Sequence, residues 1–106
     1  MKAPRPLVRV GPDVAPLVPA FLASRRELAR DSAEAMRGGR SGDVRRIAHQ
    51  IAGAARMYGF AELAGIAEAL ERAAAAGDGS AMVSRQAELE TYLEGVEVDY
   101  SSMEAP

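Results

Sequence analysis

Apolar residues along this 106-residue chain recur at steps of three and four instead of alternating, and alanine fills many of the positions between them. Such steps keep apolar side chains on one face of a turn of about 3.6 residues, and alanine is the strongest intrinsic helix former, so helices are expected throughout. Proline and glycine supply the divisions. Pro12 with Asp13 opens the first helical region, Pro16 and Pro19 fall in its early turns, and the stretch MRGGRSGD at 36–43 ends it. The expected order is a short turn near residues 13–18, then a long helix to about Arg37 with Leu17, Val18, Phe21, Leu28 and Met36 inward. Ser41 is placed to cap a second helix reaching about Tyr58, where Gly59 breaks it. A third helix runs from about Ala61 to Ala76, closed by Gly77, because glycine takes positive φ without steric cost. A fourth, from about Ser80 to Val96, turns Met82, Leu89, Leu93 and Val96 inward.

Short connections between helices imply antiparallel neighbours. The expected fold is all-α: an antiparallel up-and-down four-helix bundle with a short extra N-terminal helical turn, spanning residues 12–97 between tails at 1–11 and 98–106. A chain of this length suits one compact core but is small for an enzyme with its own cofactor pocket.

Charge and residue usage exclude several function classes. Thirteen Lys plus Arg against 15 Asp plus Glu leave a net charge of -2, with Lys2 the sole lysine. There is no bulk basic charge or concentrated basic helix to hold nucleic acid or an anionic membrane. Zero cysteines remove disulfides, thiolate nucleophiles and most structural zinc sites. No apolar run approaches the roughly 20 residues that span a bilayer, and the start MKAPRPLVRVGPD lacks a signal-peptide core, so a cytoplasmic location is expected. With one histidine, a metal centre lacks companion ligands and a hydrolase triad lacks a pocketed base. Glu68 and Glu71 sit at helical spacing and read as a solvated face.

That histidine, His49, lies in RRIAHQIAGAARMYGF at 45–60. Setting Val44 at zero and advancing about 100° per residue, Ile47, Ala48, Ile51, Ala55 and Tyr58 cluster around zero and form the core stripe. His49 falls at about 140°, with Arg45, Ala52, Gly53 and Arg56 on its outward side. The imidazole is therefore expected in solvent, where an idle surface histidine is the plain alternative. Glycine inside a helix costs roughly 1 kcal/mol relative to alanine, yet it stands at position 53 in a sequence that uses alanine on either side. One turn after His49, its missing side chain opens a clearing with Ala52, across which another protein's surface could approach. Arg45 and Arg56 surround the ring with cationic charge suited to a phosphoryl group, although each also fits an ordinary solvated arginine face. Helical side chains lean toward the N-terminus, so Arg56 leans toward His49 and Arg45 away from it. A free imidazole titrates at about 6.5 and is substantially neutral at cytoplasmic pH, leaving a lone pair able to attack phosphorus if a partner brings the remaining apparatus.

AHQIAGAARMYGF at 48–60 resembles the signature of the histidine-containing phosphotransfer (HPt) domain: histidine, any residue, an aliphatic residue, lysine, glycine, two small residues and a later glycine. His49, Ile51, Gly53, Ala54, Ala55 and Gly59 match it. PDVAPLVPAFLASRREL at 12–28, AELAGIAEALERAAAAGD at 61–78 and the later YLEGV extend the resemblance to about Val98. The resemblance implies a stoichiometric phosphoryl carrier, not an independent enzyme. In such a relay His49 accepts a phosphoryl group from the aspartyl phosphate of one receiver domain, such as that of a hybrid histidine kinase. It then passes the group to the aspartate of another, in a response regulator. Magnesium belongs to the receiver, so no cofactor or metal is implied for this chain, and a monomer is expected. Gln50, Ala52, Gly53, Arg45 and Arg56 would contact the phosphoryl group or the partner, with Leu22 and Met57 as candidate apolar docking residues. Ala52 stands where the family usually has lysine, and Arg56 is the expected partial replacement. That departure leaves a second reading, a degenerate HPt-like bundle that binds other proteins without carrying phosphate.

Overall fold

The computed structural model describes residues 5–100. Four helices dominate it. A single 3-10 turn at Ala15–Leu17 leads into α1 (Val18–Arg37), followed by α2 (Ser41–Ala52), α3 (Ala61–Ala75) and α4 (Gly79–Gly95). Pro16 and Pro19 sit where N–H groups have no helical partner, so they start the helix instead of breaking it. The first interhelical turn closes through Gly39 at φ +72°, with the Arg40 N–H donating to Ala35 O at 2.9 Å. Gly77 at φ +67° ends α3 as its sequence position implies, and Asp78 caps α4 by accepting from the Ala81 N–H at 3.1 Å. Ser41 does not cap α2. The N-cap is Arg40, whose side chain makes no capping bond to the helix backbone but donates from Nε to Asp43 Oδ2 at 3.2 Å, and Ser41 is the first helical residue.

Helix α2 packs between α1 and α3, and α4 closes the group against both α3 and α1. Val18, Phe21, Val44, Ile47, Ile51, Phe60, Leu63, Leu70, Leu89 and Leu93 are buried between them, with Ala48, Ala64 and Ala67 letting backbones approach. Phe21 holds the end of the core near the α2–α3 connection, its ring 4.8 Å from Tyr58 and 5.4 Å from Phe60. A buried polar bridge fixes α1 against α4: Ser32 Oγ donates to Gln86 Oε1 at 2.9 Å, and Gln86 Nε2 donates to Ala29 O at 3.0 Å. Leu17, expected inward, is half exposed because the 3-10 turn rotates it off the stripe, while Leu28 and Met36 are partly buried.

Two corrections concern segments near the candidate site. The regions expected as tails instead contribute a two-stranded parallel sheet, β1 (Leu7–Arg9) and β2 (Glu97–Asp99), with Val8 opposite Val98. Ion pairs Arg5–Glu97 and Arg9–Asp99, each at 3.4 Å, flank it; residues 1–4 and 101–106 of those tails lie outside the described residues. Gly59, at φ +94°, lies against this pair, where an added Cβ would stand 3.4 Å from Arg9 O. The second correction is the length of α2. It ends at Ala52, not near Tyr58, and the chain reaches Phe60 through a run of turns containing Ala54 at φ +64°.

Candidate functional site

Helix α2 buries Val44, Ile47, Ala48 and Ile51 and leaves the opposite side open. His49 stands on that open side with its side chain 76% exposed, as the helical phase requires. Its Nδ1 lies 3.1 Å from Oε2 of Glu71 on α3. A carboxylate can only accept, so Nδ1 carries the proton of this bond, and the lone pair of the neutral ring resides on Nε2. Glu71, only 28% exposed, is held by the α2–α3 packing, so it also fixes the plane of the ring.

Beside this pair lies a second. Arg56 Nη2 donates to Glu68 Oε1 at 2.7 Å. Glu68 and Glu71 are three residues apart and therefore neighbours along α3, so the guanidinium and the imidazole ride on adjacent carboxylates. Reading these glutamates as a solvated face missed their role, which only the α2–α3 packing makes visible.

Gly53 is not inside a helix. It is the C-cap of α2, with φ −60° and ψ 133°, an extended conformation open to any residue. What distinguishes it is space: an added Cβ would stand 3.3 Å from Gln50 O and 4.0 Å from Nη2 of Arg25. Arg25, on α1, is the residue that completes this end. Its Nε donates to Ile51 O at 3.4 Å and its Nη2 to Gln50 O at 3.2 Å, with a further bond to Gly53 O. Carbonyls at a helix C-terminus lack intrahelical partners and carry partial negative charge, so one guanidinium both satisfies and neutralises them. Burial lowers the Arg25 pKa from the ordinary guanidinium value, against a smaller raising influence from Tyr58, and its guanidinium carbon lies 4.2 Å from the centre of the Phe21 ring. No short-range sequence signal marks Arg25, which sits far from Gly53 along the chain.

Of the other residues expected at the site, Arg45 is exposed on α2 and makes no ion pair among the described residues. Ala52 is partly buried as the last residue of α2. Gln50 is exposed beside the α1–α2 groove near Leu28 and Asp31, so it lies toward α1 while Glu71 approaches His49 from α3. Arg56 belongs to the turn after α2, not to its helical face. Met57 is 78% exposed in that turn, whereas Leu22 is buried in the core and presents no docking surface.

The fold and site together define a class: a helical bundle that holds one imidazole outward from the flank of a helix and orients it through a carboxylate from the next. Consistent with this, the profile of the Hpt domain matches residues 16–99, and the chain belongs to that family. Hpt domains are phosphocarrier modules that interact with receiver domains in phosphorelays. No curated protein and no solved structure gives a match. Among the described residues no helix is long and apolar enough to cross a membrane, and no cluster of three or more His, Asp or Glu side chains is disposed to hold a metal.

Proposed function

We propose that the chain is a phosphorelay intermediate in which His49 takes a phosphoryl group from the aspartyl phosphate of one receiver domain and delivers it to the aspartate of another. The four helices run alternately up and down, and the chain works as a cytoplasmic monomer. The observation that carries this reading is the exposed imidazole with Nδ1 bonded to Glu71, which leaves Nε2 as the free nucleophilic nitrogen.

In the forward step the Nε2 lone pair forms a bond to phosphorus while the bond from phosphorus to the aspartyl oxygen breaks, its electron pair leaving with the carboxylate. The Nδ1 proton stays in the bond to Glu71, whose charge opposes the positive charge that the ring gains. The acceptor's aspartate reverses these events. Magnesium and the groups that activate the aspartate come with the receiver.

Position matters to the energetics. His49 is in the last turn of α2, where the helix dipole disfavours an added anion. Arg25 neutralises the terminal carbonyls, and Arg56 supplies the cation that the family lysine would otherwise bring to position 52. Arg45 and Gln50 flank the approach, Ala52 and Gly53 keep it low, and Met57 meets the partner's apolar surface. The test is incubation with a phosphorylated receiver domain, comparing wild type with His49→Gln. Acid-labile, base-stable label on wild type alone is the expected result; label on both proteins, or on neither, rejects the reading.

A further inference from the structure

Resting on the reading of His49 as the phosphoryl acceptor, we propose that Glu68 sets how readily the site takes up a phosphoryl group, because it competes with that group for Arg56. In the unphosphorylated chain Arg56 is already occupied: its Nη2 donates to Glu68 Oε1 at 2.7 Å. The imidazole's own carboxylate, Glu71, lies one helical turn along α3 from Glu68. A phosphoryl group arriving at Nε2 therefore enters a neighbourhood of two carboxylates and one cation already engaged.

Both partners of the Arg56–Glu68 pair are partly exposed, with side-chain exposures of 58% and 39%, so the pair is weak enough to exchange. Arg56 lies in the turn beyond α2, where its backbone is not committed to helix, and its guanidinium can move from carboxylate to phosphoryl oxygens without unwinding α2. Glu68 thus acts as a positioning residue. It parks the cation beside the imidazole and gives it up on loading, at a cost that keeps the phosphohistidine from becoming a trap in a protein whose task is to pass the group on.

Phosphoramidate is a suitable probe because it phosphorylates exposed imidazoles without a partner protein. Its phosphorus–nitrogen bond breaks, ammonia leaves with the electron pair, and the bond from phosphorus to Nε2 forms. Loading followed by 31P NMR would compare wild type, Glu68→Gln, Arg56→Ala and the double variant, with circular dichroism verifying that each stays folded. Glu68→Gln should load about threefold faster than wild type, the scale of an exposed ion pair. Arg56→Ala should load more slowly, and the double variant should match Arg56→Ala. Equal loading by Glu68→Gln and wild type overturns the proposal. So does a Glu68→Gln gain that persists without Arg56, since Glu68 would then act by direct repulsion. Wild type that takes no label at His49 overturns the phosphohistidine reading and this proposal together; labelled wild type with no Glu68 effect overturns only the proposal.

Discussion

Replacing Arg25 with methionine keeps most of the apolar stem and removes the guanidinium that closes α2. Two of its bonds, to Ile51 O at 3.4 Å and Gln50 O at 3.2 Å, are long, and the third goes to Gly53 O. At about 0.5 kcal/mol each, toward the low end for intramolecular bonds, the three contribute about 1.5 kcal/mol. The stacking on Phe21 at 4.2 Å adds about 0.5 kcal/mol in a partly buried setting. A loss of about 2 kcal/mol in a domain of this size lowers the melting temperature by about 10 °C. Thermal unfolding by circular dichroism reads the total. Amide exchange locates it, because the Gly53 N–H bonded to His49 O at 3.1 Å should exchange faster while the α3–α4 amides hold. A melting temperature within about 2 °C of wild type, with unchanged exchange at Gly53, would show that Arg25 merely rests against the helix end and that something else terminates α2.

The remaining predictions test separate parts of the structure. Ala54 is held at φ +64°, a conformation that costs a non-glycine residue about 1 kcal/mol, so Ala54→Gly should stabilise the domain in chemical denaturation. If α2 ran on to Tyr58, the same change would destabilise by about 1 kcal/mol, so the sign of the effect decides the issue. The Tyr92 hydroxyl is buried without a hydrogen-bond partner among the described residues, and burial, helped by the nearby charge of Glu62, pushes its pKa up to about 12. An unfolded tyrosine titrates at about 10, so the folded state holds this proton more tightly. Its contribution to stability is complete below pH 10 and disappears as pH rises through about 12. Tyr92→Phe should flatten that alkaline loss and add about 1 kcal/mol at neutral pH by removing the unpaired hydroxyl; denaturation curves parallel to wild type at both pH values would refute it.

Much of the bundle was legible because helical phase is local. Val44, Ile47, Ala48 and Ile51 specify which side of α2 is buried whatever they pack against, and His49 follows on the far side. Gly77 and Asp78 likewise declare the α3–α4 turn, because positive φ and N-capping are properties of one or two residues. The end of α2 is not legible in the sequence for the complementary reason. Ala52 to Tyr58 has the composition and phase of a helix, and the decision to stop is made by Arg25 from α1 and by the space that Gly53 leaves.

The sequence by itself determined that four helices form, that one imidazole faces outward and that no lysine stands three residues beyond it. Tertiary structure decided what that imidazole can do. Glu71 fixes its proton on Nδ1, Glu68 holds Arg56, and the strand pair draws Leu7–Arg9 and Glu97–Asp99 together beside Gly59. The physical reason is range. Periodicity and turn chemistry act over a few residues and can be read in order, whereas a carboxylate 22 positions away becomes a neighbour only when two helices bury their apolar faces against each other.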